Sequence, residues 1–146
     1  MITKKVKRYY CEHPGCKKSG GAAWAMRYHE ARCTANPNRV CGMCEMCDGG
    51  TETLQELIAV LPEPVGWGEC DGDPTGELYK GWHRQAAEGL KRLQELTECP
   101  ACILAAIRQR GIAGYCDFDF KKERDEMFTN IRDADAENRS LASTWL

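Results

Sequence analysis

Residues 9–33 read YYCEHPGCKKSGGAAWAMRYHEARC and hold three cysteines and two of the chain's three histidines. Cys11 and Cys16 flank EHPG, a stretch suited to a turn, while His29 and Cys33 are four residues apart and would share one face of a helix. Zinc binds four such ligands in a tetrahedron, commonly two from a turn and two from a helix. The spacing therefore predicts a structural zinc site formed by Cys11, Cys16, His29 and Cys33.

This segment resembles the C2H2-type zinc finger in its C2HC form, over residues 9–33 only. The resemblance implies that the base-reading positions of the finger fall on Ala22, Ala25 and Tyr28. Two alanines and a tyrosine offer little that can engage base edges in the major groove. A finger that reads base sequence is therefore not expected, whereas sequence-independent contact with phosphates is.

The run HEARC also permits a catalytic hypothesis. His29-Glu30-x-x-Cys33 is similar to the HExxH helix, in which Glu acts as general base beside a zinc-bound water. That chemistry needs an open coordination position, and binding by Cys11 and Cys16 would close the site. A zinc-dependent hydrolase is therefore the weakest of the functional hypotheses.

A second cysteine group is split between two distant segments. CGMCEMC supplies Cys41, Cys44 and Cys47, and CPAC supplies Cys99 and Cys102. Two CxxC pairs are typical of Cys₄ zinc sites, but the 54 residues between Cys44 and Cys99 must contain folded structure. We predict a Cys₄ site that pins a helical body, with Cys41 and Cys44 favoured over Cys47 as the partners of Cys99 and Cys102.

Some cysteines are left outside these two groups. Burial as small apolar side chains is the simplest prediction for Cys47, Cys70 and Cys116. A third metal site using these three with His83 is the alternative, although their spacing fits no compact pattern. The predicted cofactor is thus zinc, two ions, with a third left open.

Charge is divided unevenly along the chain. Residues 1–40 contain nine Lys or Arg and two Glu, a net charge of +7, whereas the remainder carries eleven basic and twenty acidic residues, a net charge of −9. Such asymmetry is typical of a basic arm that binds nucleic acid, although a solvated, flexible N-terminus would show it too. The candidate phosphate-contacting residues are Lys4, Lys5, Lys7, Arg8, Lys17, Lys18, Arg27, Arg32 and Arg39.

Apolar periodicity predicts a mainly α protein with small zinc-stabilised modules, a finger packed on a helical body. Residues 6–10 are expected as a short strand and 22–35 as a helix ended by Asn36-Pro37. Further helices are predicted at 51–61 with Thr51 as N-cap, 73–98 with Asp73 as N-cap and Pro74 at the first helical position, 103–110 closed by Gly111, and 120–136. The predicted division is a basic C2HC finger at 1–40, a helical body with the Cys₄ site at 41–138, and a tail at 139–146.

Neither a signal peptide nor a membrane span is expected, because no apolar stretch approaches the ~20 residues that cross a bilayer. We expect a cytoplasmic protein, since thiols stay reduced there and paired cysteines bind metal. No phosphate-cradling Gly loop or Ser/His/Asp arrangement occurs, so neither enzymatic activity nor a small-molecule substrate is expected. Trp67, in the loop EPVGWGE, is the candidate for a protein-binding surface.

The whole chain resembles small uncharacterised zinc-finger proteins of bacteriophages in the runs HEARCTANPNRVCGMC and CPACILAAIRQRG. That resemblance implies a regulatory or host-interacting role without naming a mechanism. The favoured function is a non-enzymatic zinc-binding regulator that contacts DNA or RNA through its basic finger. A protein–protein interaction module, a phage-type adaptor with the finger as scaffold, is the alternative.

Overall fold

The computed structural model describes residues 1–47, 50–69 and 72–144. This part of the chain is mainly helical, which confirms the predicted class, and it contains one two-stranded hairpin. The elements in chain order are β1 Tyr9–Tyr10, β2 Ser19–Gly20, α1 Ala23–Arg32, α2 Leu54–Ala59, α3 Glu77–Leu96, α4 Pro100–Arg110, a 3₁₀ turn at Ala113–Tyr115, and α5 Phe120–Thr144. No helix within the described ranges is long and apolar enough to cross a membrane.

The N-terminal module is a short hairpin with α1 packed on it. Tyr9 pairs with Gly20 and Tyr10 with Ser19, so the strand predicted at 6–10 is shortened to its last two residues. The helix also ends earlier than predicted, at Arg32, because Cys33 adopts an extended conformation with ψ 134°. Near this helix end the carbonyl of Glu30 accepts the backbone N–H of Cys33 at 3.4 Å and the side-chain amide of Asn36 at 2.9 Å.

The core of the helical body lies between α2, α3 and α4. Its buried members are small and branched aliphatic side chains: Leu57, Leu61, Ala86, Leu90, Leu93, Ile103, Ala106, Ile107 and Ile112. Leu93 and Ile112 are completely buried. Along α3, apolar side chains from Trp82 onward are buried at helical spacing, whereas Leu78, one turn earlier, is 52% exposed.

The helices α2 and α3 begin at other residues than the sequence predicts. Thr51 is not the N-cap of α2; Thr53 is, through a capping box in which Glu56 N–H donates to Thr53 Oγ1 and Thr53 N–H donates to the Glu56 carboxylate. Asp73 does not cap α3 directly either. Gly76 is the N-cap, in the left-handed conformation, while Asp73 Oδ2 accepts from Leu78 N–H at 2.8 Å.

Residues 61–62 pack closely against α3, and Gly89 permits that contact. A Cβ atom at position 89 would lie 2.7 Å from Pro62 Cδ and 3.3 Å from Leu61 Cδ2. Both distances are shorter than ordinary van der Waals contact. The absence of a side chain at Gly89 therefore lets the end of α2 approach α3.

The helix α4 begins three residues before its predicted start. The preceding helix, predicted to run to residue 98, ends at Leu96, and Pro100 occupies the first turn of α4. Proline suits that position because its missing N–H would have no partner there. The prediction for the other end is confirmed, since Gly111 closes α4 at φ +81°.

The last helix, α5, is longer than the predicted 120–136 and continues through the residues assigned to the tail as far as Thr144. Met127 and Ile131 are half-buried, and the described side chains after Ile131 are exposed. The first half of α5 therefore packs on the body, and the second half extends into solvent. The proposed division into finger, body and tail stays a prediction.

An aromatic cluster closes one side of α3. Trp67 lies 6.4 Å from the ring of Trp82, nearly parallel to it, and meets the Tyr115 ring edge-on at 4.9 Å. Trp67 thus packs onto the body instead of standing free as the binding residue that the sequence suggested.

Candidate metal centres

The first predicted ligand set is brought together at the junction of the hairpin and α1. Cys11, Cys16, His29 and Cys33 each direct one ligand atom into a space where all four atoms lie within 4.8 Å of one another. The sulfurs of Cys11 and Cys33 are 3.8 Å apart, and Cys16 Sγ is 3.3 Å from His29 Nε2.

Backbone hydrogen bonds fix the turn that carries the first two cysteines. The N–H of Cys11 donates to Lys18 O at 3.0 Å, and the N–H of Cys16 donates to His13 O at 3.1 Å. Gly15 takes φ +83° inside this turn, a conformation that costs glycine little. The helix and its C-cap supply the other pair, since His29 lies in the last turn of α1 and Cys33 follows directly after Arg32.

Glu30 joins the turn to the helix. Its Oε1 accepts the N–H of Glu12 at 3.1 Å, and its carbonyl oxygen lies 3.2 Å from His13 Nε2. The carboxylate that the hydrolase hypothesis needs as a general base is therefore hydrogen-bonded within the module.

The second set converges at the N-terminus of α4. Cys41, Cys44, Cys99 and Cys102 place their sulfurs within 4.8 Å of one another, while Cys47 is not part of the group. The Sγ–Sγ distances are 3.6 Å from Cys41 to Cys99 and 3.3 Å from Cys44 to Cys102. The pairing across the long gap is thus the one that the CxxC spacing favoured.

Local geometry explains why Cys99 and Cys102 point the same way. The carbonyl of Cys99 accepts the N–H groups of Cys102 and Ile103, both at 3.1 Å, so the two cysteines flank the first turn of α4. The buried Thr97 hydroxyl receives the Cys99 N–H at 3.2 Å. A helix N-terminus favours negative charge, which suits thiolates at this end of α4.

The sulfur spacing fits a tetrahedral ion and does not fit disulfides. With Zn–S bonds of about 2.3 Å, the edges of a regular tetrahedron are about 3.8 Å long. The closest Sγ–Sγ pairs, at 3.3 to 3.8 Å, lie within about 0.5 Å of that edge. A disulfide bond would require about 2.0 Å. Donor type and spacing together fit a zinc-binding protein with two closed, four-ligand sites.

Thiol ionisation is strongly perturbed in the second cluster. Burial, together with the neighbouring Cys41 and Cys99 thiols, raises the pKa of Cys44 to about 12. Hydrogen bonds with Cys41 and Cys99 raise the pKa of Cys102 far above its ordinary value, and the same kind of contact with Cys102 lowers the pKa of Cys41. The cluster thus favours one thiolate and disfavours the ionisation of further thiols. A divalent cation at the centre of the cluster would stabilise the additional thiolates.

The first cluster shows the same division. Burial raises the pKa of Cys11 to about 11. Burial raises the pKa of Cys16 as well. The backbone hydrogen bond from Lys18 and the hydrogen bonds with the neighbouring thiols act in the opposite direction and are together stronger, so the pKa of Cys16 is lowered.

The segment between the two centres is bonded to α4. Gln109 Nε2 donates to the carbonyls of Thr34 and Asn36 at 2.8 and 3.0 Å. Arg39 donates from Nη1 to Ala101 O at 3.3 Å and to Cys102 Sγ at 3.8 Å. Arg39 was predicted to contact phosphates, but its half-buried guanidinium is engaged inside the protein, beside the second centre.

The other predicted cations are mostly exposed. The exposed ones are Lys4, Lys5, Lys7, Arg8, Lys17, Lys18 and Arg27. Arg8 donates to Ser19 Oγ at 3.2 Å, and Arg32 is half-buried, with its guanidinium 3.9 Å from the centre of the Tyr28 ring. Across the described ranges, none of these residues forms an ion pair with a carboxylate.

Sequence reasoning missed one member of the basic surface. Arg108, on α4, is exposed and donates to Thr34 Oγ1 at 2.9 Å. With Lys17 it lines a cleft of about 850 Å³ between the finger turn and α4. Because Arg108 is 74 residues from Thr34 in the sequence, no sequence pattern indicates that it lies beside the finger.

The alternative third metal site receives no support from the part of the chain that the structure describes. Only the two groups above bring three or more metal-ligating side chains together there. Cys70 lies outside the described residues. His83 packs on Tyr79 and Tyr115, and Cys116 Sγ donates to Ala86 O at 4.0 Å, so both contact the helical body.

Comparisons of the chain with known protein families, curated proteins and solved structures found no match. The likeness to a zinc finger therefore rests on the Cys and His geometry of residues 9–33. The likeness to bacteriophage proteins gains no support beyond the two sequence runs that suggested it.

Proposed function

We propose that the protein is a non-enzymatic, zinc-binding regulator of the cytoplasm that contacts nucleic-acid phosphates through its N-terminal module. The observation that carries the proposal is a set of exposed cations, without carboxylate partners among the described residues, on the module in which Cys11, Cys16, His29 and Cys33 converge. Two zinc ions would serve as structural clamps, one within the finger and one at the base of the helical body.

Electrostatics supports phosphate contact without base readout. Cations that no carboxylate neutralises attract a polyanion and release its counterions on binding, whatever the base sequence. The resemblance to a finger implies base-reading positions at Ala22, Ala25 and Tyr28, and only Tyr28 has a side chain that can form a hydrogen bond. Affinity is therefore expected to depend on salt and not on sequence.

The closed centres support a structural role for the metal. Each cluster offers four protein ligands, which leaves a tetrahedral ion no position for a reactive water. Glu30 is already bonded to the turn that carries Cys11. We therefore propose no hydrolytic activity.

Two adjacent lysine pairs allow a matched test. Lys17-Lys18 lies on the finger, and Lys121-Lys122 lies at the start of α5; all four are exposed. Lys17→Ala/Lys18→Ala should weaken oligonucleotide binding, measured by fluorescence anisotropy, and reduce the slope of log K against log salt by about 1.4 on single strands. Lys121→Ala/Lys122→Ala should change neither quantity.

Two results would contradict the proposal. One is no oligonucleotide binding by the wild-type protein at low salt. The other is equal weakening by both lysine pairs, which would indicate a general charge effect. A stoichiometric protein partner that survives nuclease treatment, without oligonucleotide binding, would favour the adaptor alternative.

A further inference from the structure

We infer that the outer face of α1 is a stacking platform that makes the finger prefer single-stranded nucleic acid over duplex. This inference rests on the proposed function and adds the class of ligand. The platform consists of Trp24, Tyr28 and Arg32, which follow one another at intervals of four residues along α1.

Helical geometry places the two rings of this platform away from the core of the finger. Residues four apart are neighbours on one side of a helix. The buried Met26 lies on the other side of α1 from Trp24 and Tyr28, and the ligands His29 and Cys33 lie at the C-terminal end of the helix. The metal cluster would therefore hold α1 in place while its outer face stays accessible.

The aromatic rings of the platform are exposed to an unusual degree. Trp24 is 72% exposed and Tyr28 is 60% exposed. Within the described residues Trp24 contacts no other aromatic ring, although Trp67 and Trp82 both do. When a ligand covers large aromatic side chains that are exposed to water, the free energy falls and binding is favoured.

Charge identifies the ligand as a nucleic acid. The Arg32 guanidinium lies 3.9 Å from the Tyr28 ring centre, and Arg27 is exposed on the same helix. Base faces stack on aromatic rings, and phosphates pair with the cations beside them. An apolar protein partner would match the rings but would leave these charges without counterparts.

The platform suits unpaired bases. In a duplex the faces of the bases are already stacked on one another, and the grooves present only edges, which alanine cannot read. Trp24 and Tyr28 are separated by about 6 Å along the helix axis, close to twice the ~3.4 Å rise between stacked bases. That spacing is compatible with one base lying between the two rings.

The test compares one oligonucleotide as a single strand and as the matching duplex. Trp24→Ala and Tyr28→Ala should each weaken single-strand binding by about 5-fold or more, while duplex binding changes less than 2-fold. Tyr28→Phe keeps the ring and should retain affinity. Val65→Ala, an exposed apolar residue of the body, should have no effect. Unchanged zinc content in each variant shows that the finger is intact.

The outcomes separate this inference from the proposed function. If the wild-type protein binds both forms, Lys17→Ala/Lys18→Ala weakens both, and Trp24→Ala weakens neither, the stacking platform is wrong and the phosphate contact stands. Absence of any oligonucleotide binding overturns both. Competition by polyglutamate as strong as by the single strand would also overturn the platform, because an acidic peptide offers charge without bases.

Discussion

Replacing a cysteine inside the second cluster should remove one zinc ion, whereas replacing one outside it should not. Cys102 and Cys116 are both half-buried in the helical body, which makes them a matched pair. The sulfur of Cys102 is 3.3 Å from Cys44 Sγ and accepts a hydrogen bond from Arg39. Cys116 Sγ lies 4.0 Å from Ala86 O, and its side chain packs against the hydrophobic core. Burial raises the pKa of Cys116, so it stays a neutral thiol.

The size of the effect follows from what the cluster joins. Structural zinc contributes about 10–16 kcal/mol in finger peptides, as much as or more than the 5–15 kcal/mol total stability of a typical domain. Cys102→Ser should therefore lower the zinc content from two ions to one and destabilise the body by more than about 5 kcal/mol. Cys116→Ser should keep both ions and cost about 1–2 kcal/mol, because it puts a hydroxyl in place of a half-buried thiol but removes no metal ligand.

Elemental analysis after dialysis against a weak chelator measures the metal, and thermal denaturation followed by circular dichroism measures stability. Cys41→Ser provides a second variant outside the helices, so that loss of metal can be separated from damage to α4. Two zinc ions per chain in Cys102→Ser, or one in Cys116→Ser, would refute the assignment of the cluster.

Two further predictions follow from the fold and the thiols. Within α3, Gly89→Ala should destabilise the protein by about 1–3 kcal/mol in urea denaturation, because the added Cβ would clash with Pro62. Gly81→Ala, which has open space around it, should stabilise the protein by up to about 1 kcal/mol. Equal effects of the two substitutions would contradict the close packing at Gly89. Zinc uptake by the second cluster at pH 7 should release at least two protons, from Cys44 and Cys102, because their raised pKa values keep them protonated in the metal-free protein and zinc binds thiolates. Zinc affinity should therefore rise with pH, and calorimetry in buffers of different ionisation enthalpy measures the proton count; a count of zero would contradict the prediction.

The clusters could be anticipated from sequence because ligand chemistry is local. A CxxxxC turn, a helical His–Cys pair and two CxxC segments each determine their own geometry over a few residues. The stripe of α3 could be anticipated for the same reason, since Trp82, Ala86 and Leu90 recur at the helical period.

Element boundaries were less predictable because competing caps decide them. Thr51 and Thr53 are equally good N-cap residues by type, and only the reach of Glu56 selects Thr53. The Asp73 carboxylate accepts the N–H of Leu78, five residues further along the chain, although Asp73 is not the N-cap of α3. A sequence pattern does not distinguish this arrangement from direct capping. Contacts such as Arg108 with Thr34 depend on the assembled fold, and no short-range pattern encodes them.

The placement of α4 links the loading of the two centres. Its first turn carries two ligands of one centre, and Gln109 near its end holds the linker that leaves Cys33 of the other. An ion bound at either centre would thus restrict the motion of α4, so less conformational entropy would be lost when the second ion binds. The second ion should accordingly bind more tightly than the first, although each centre keeps its own four ligands.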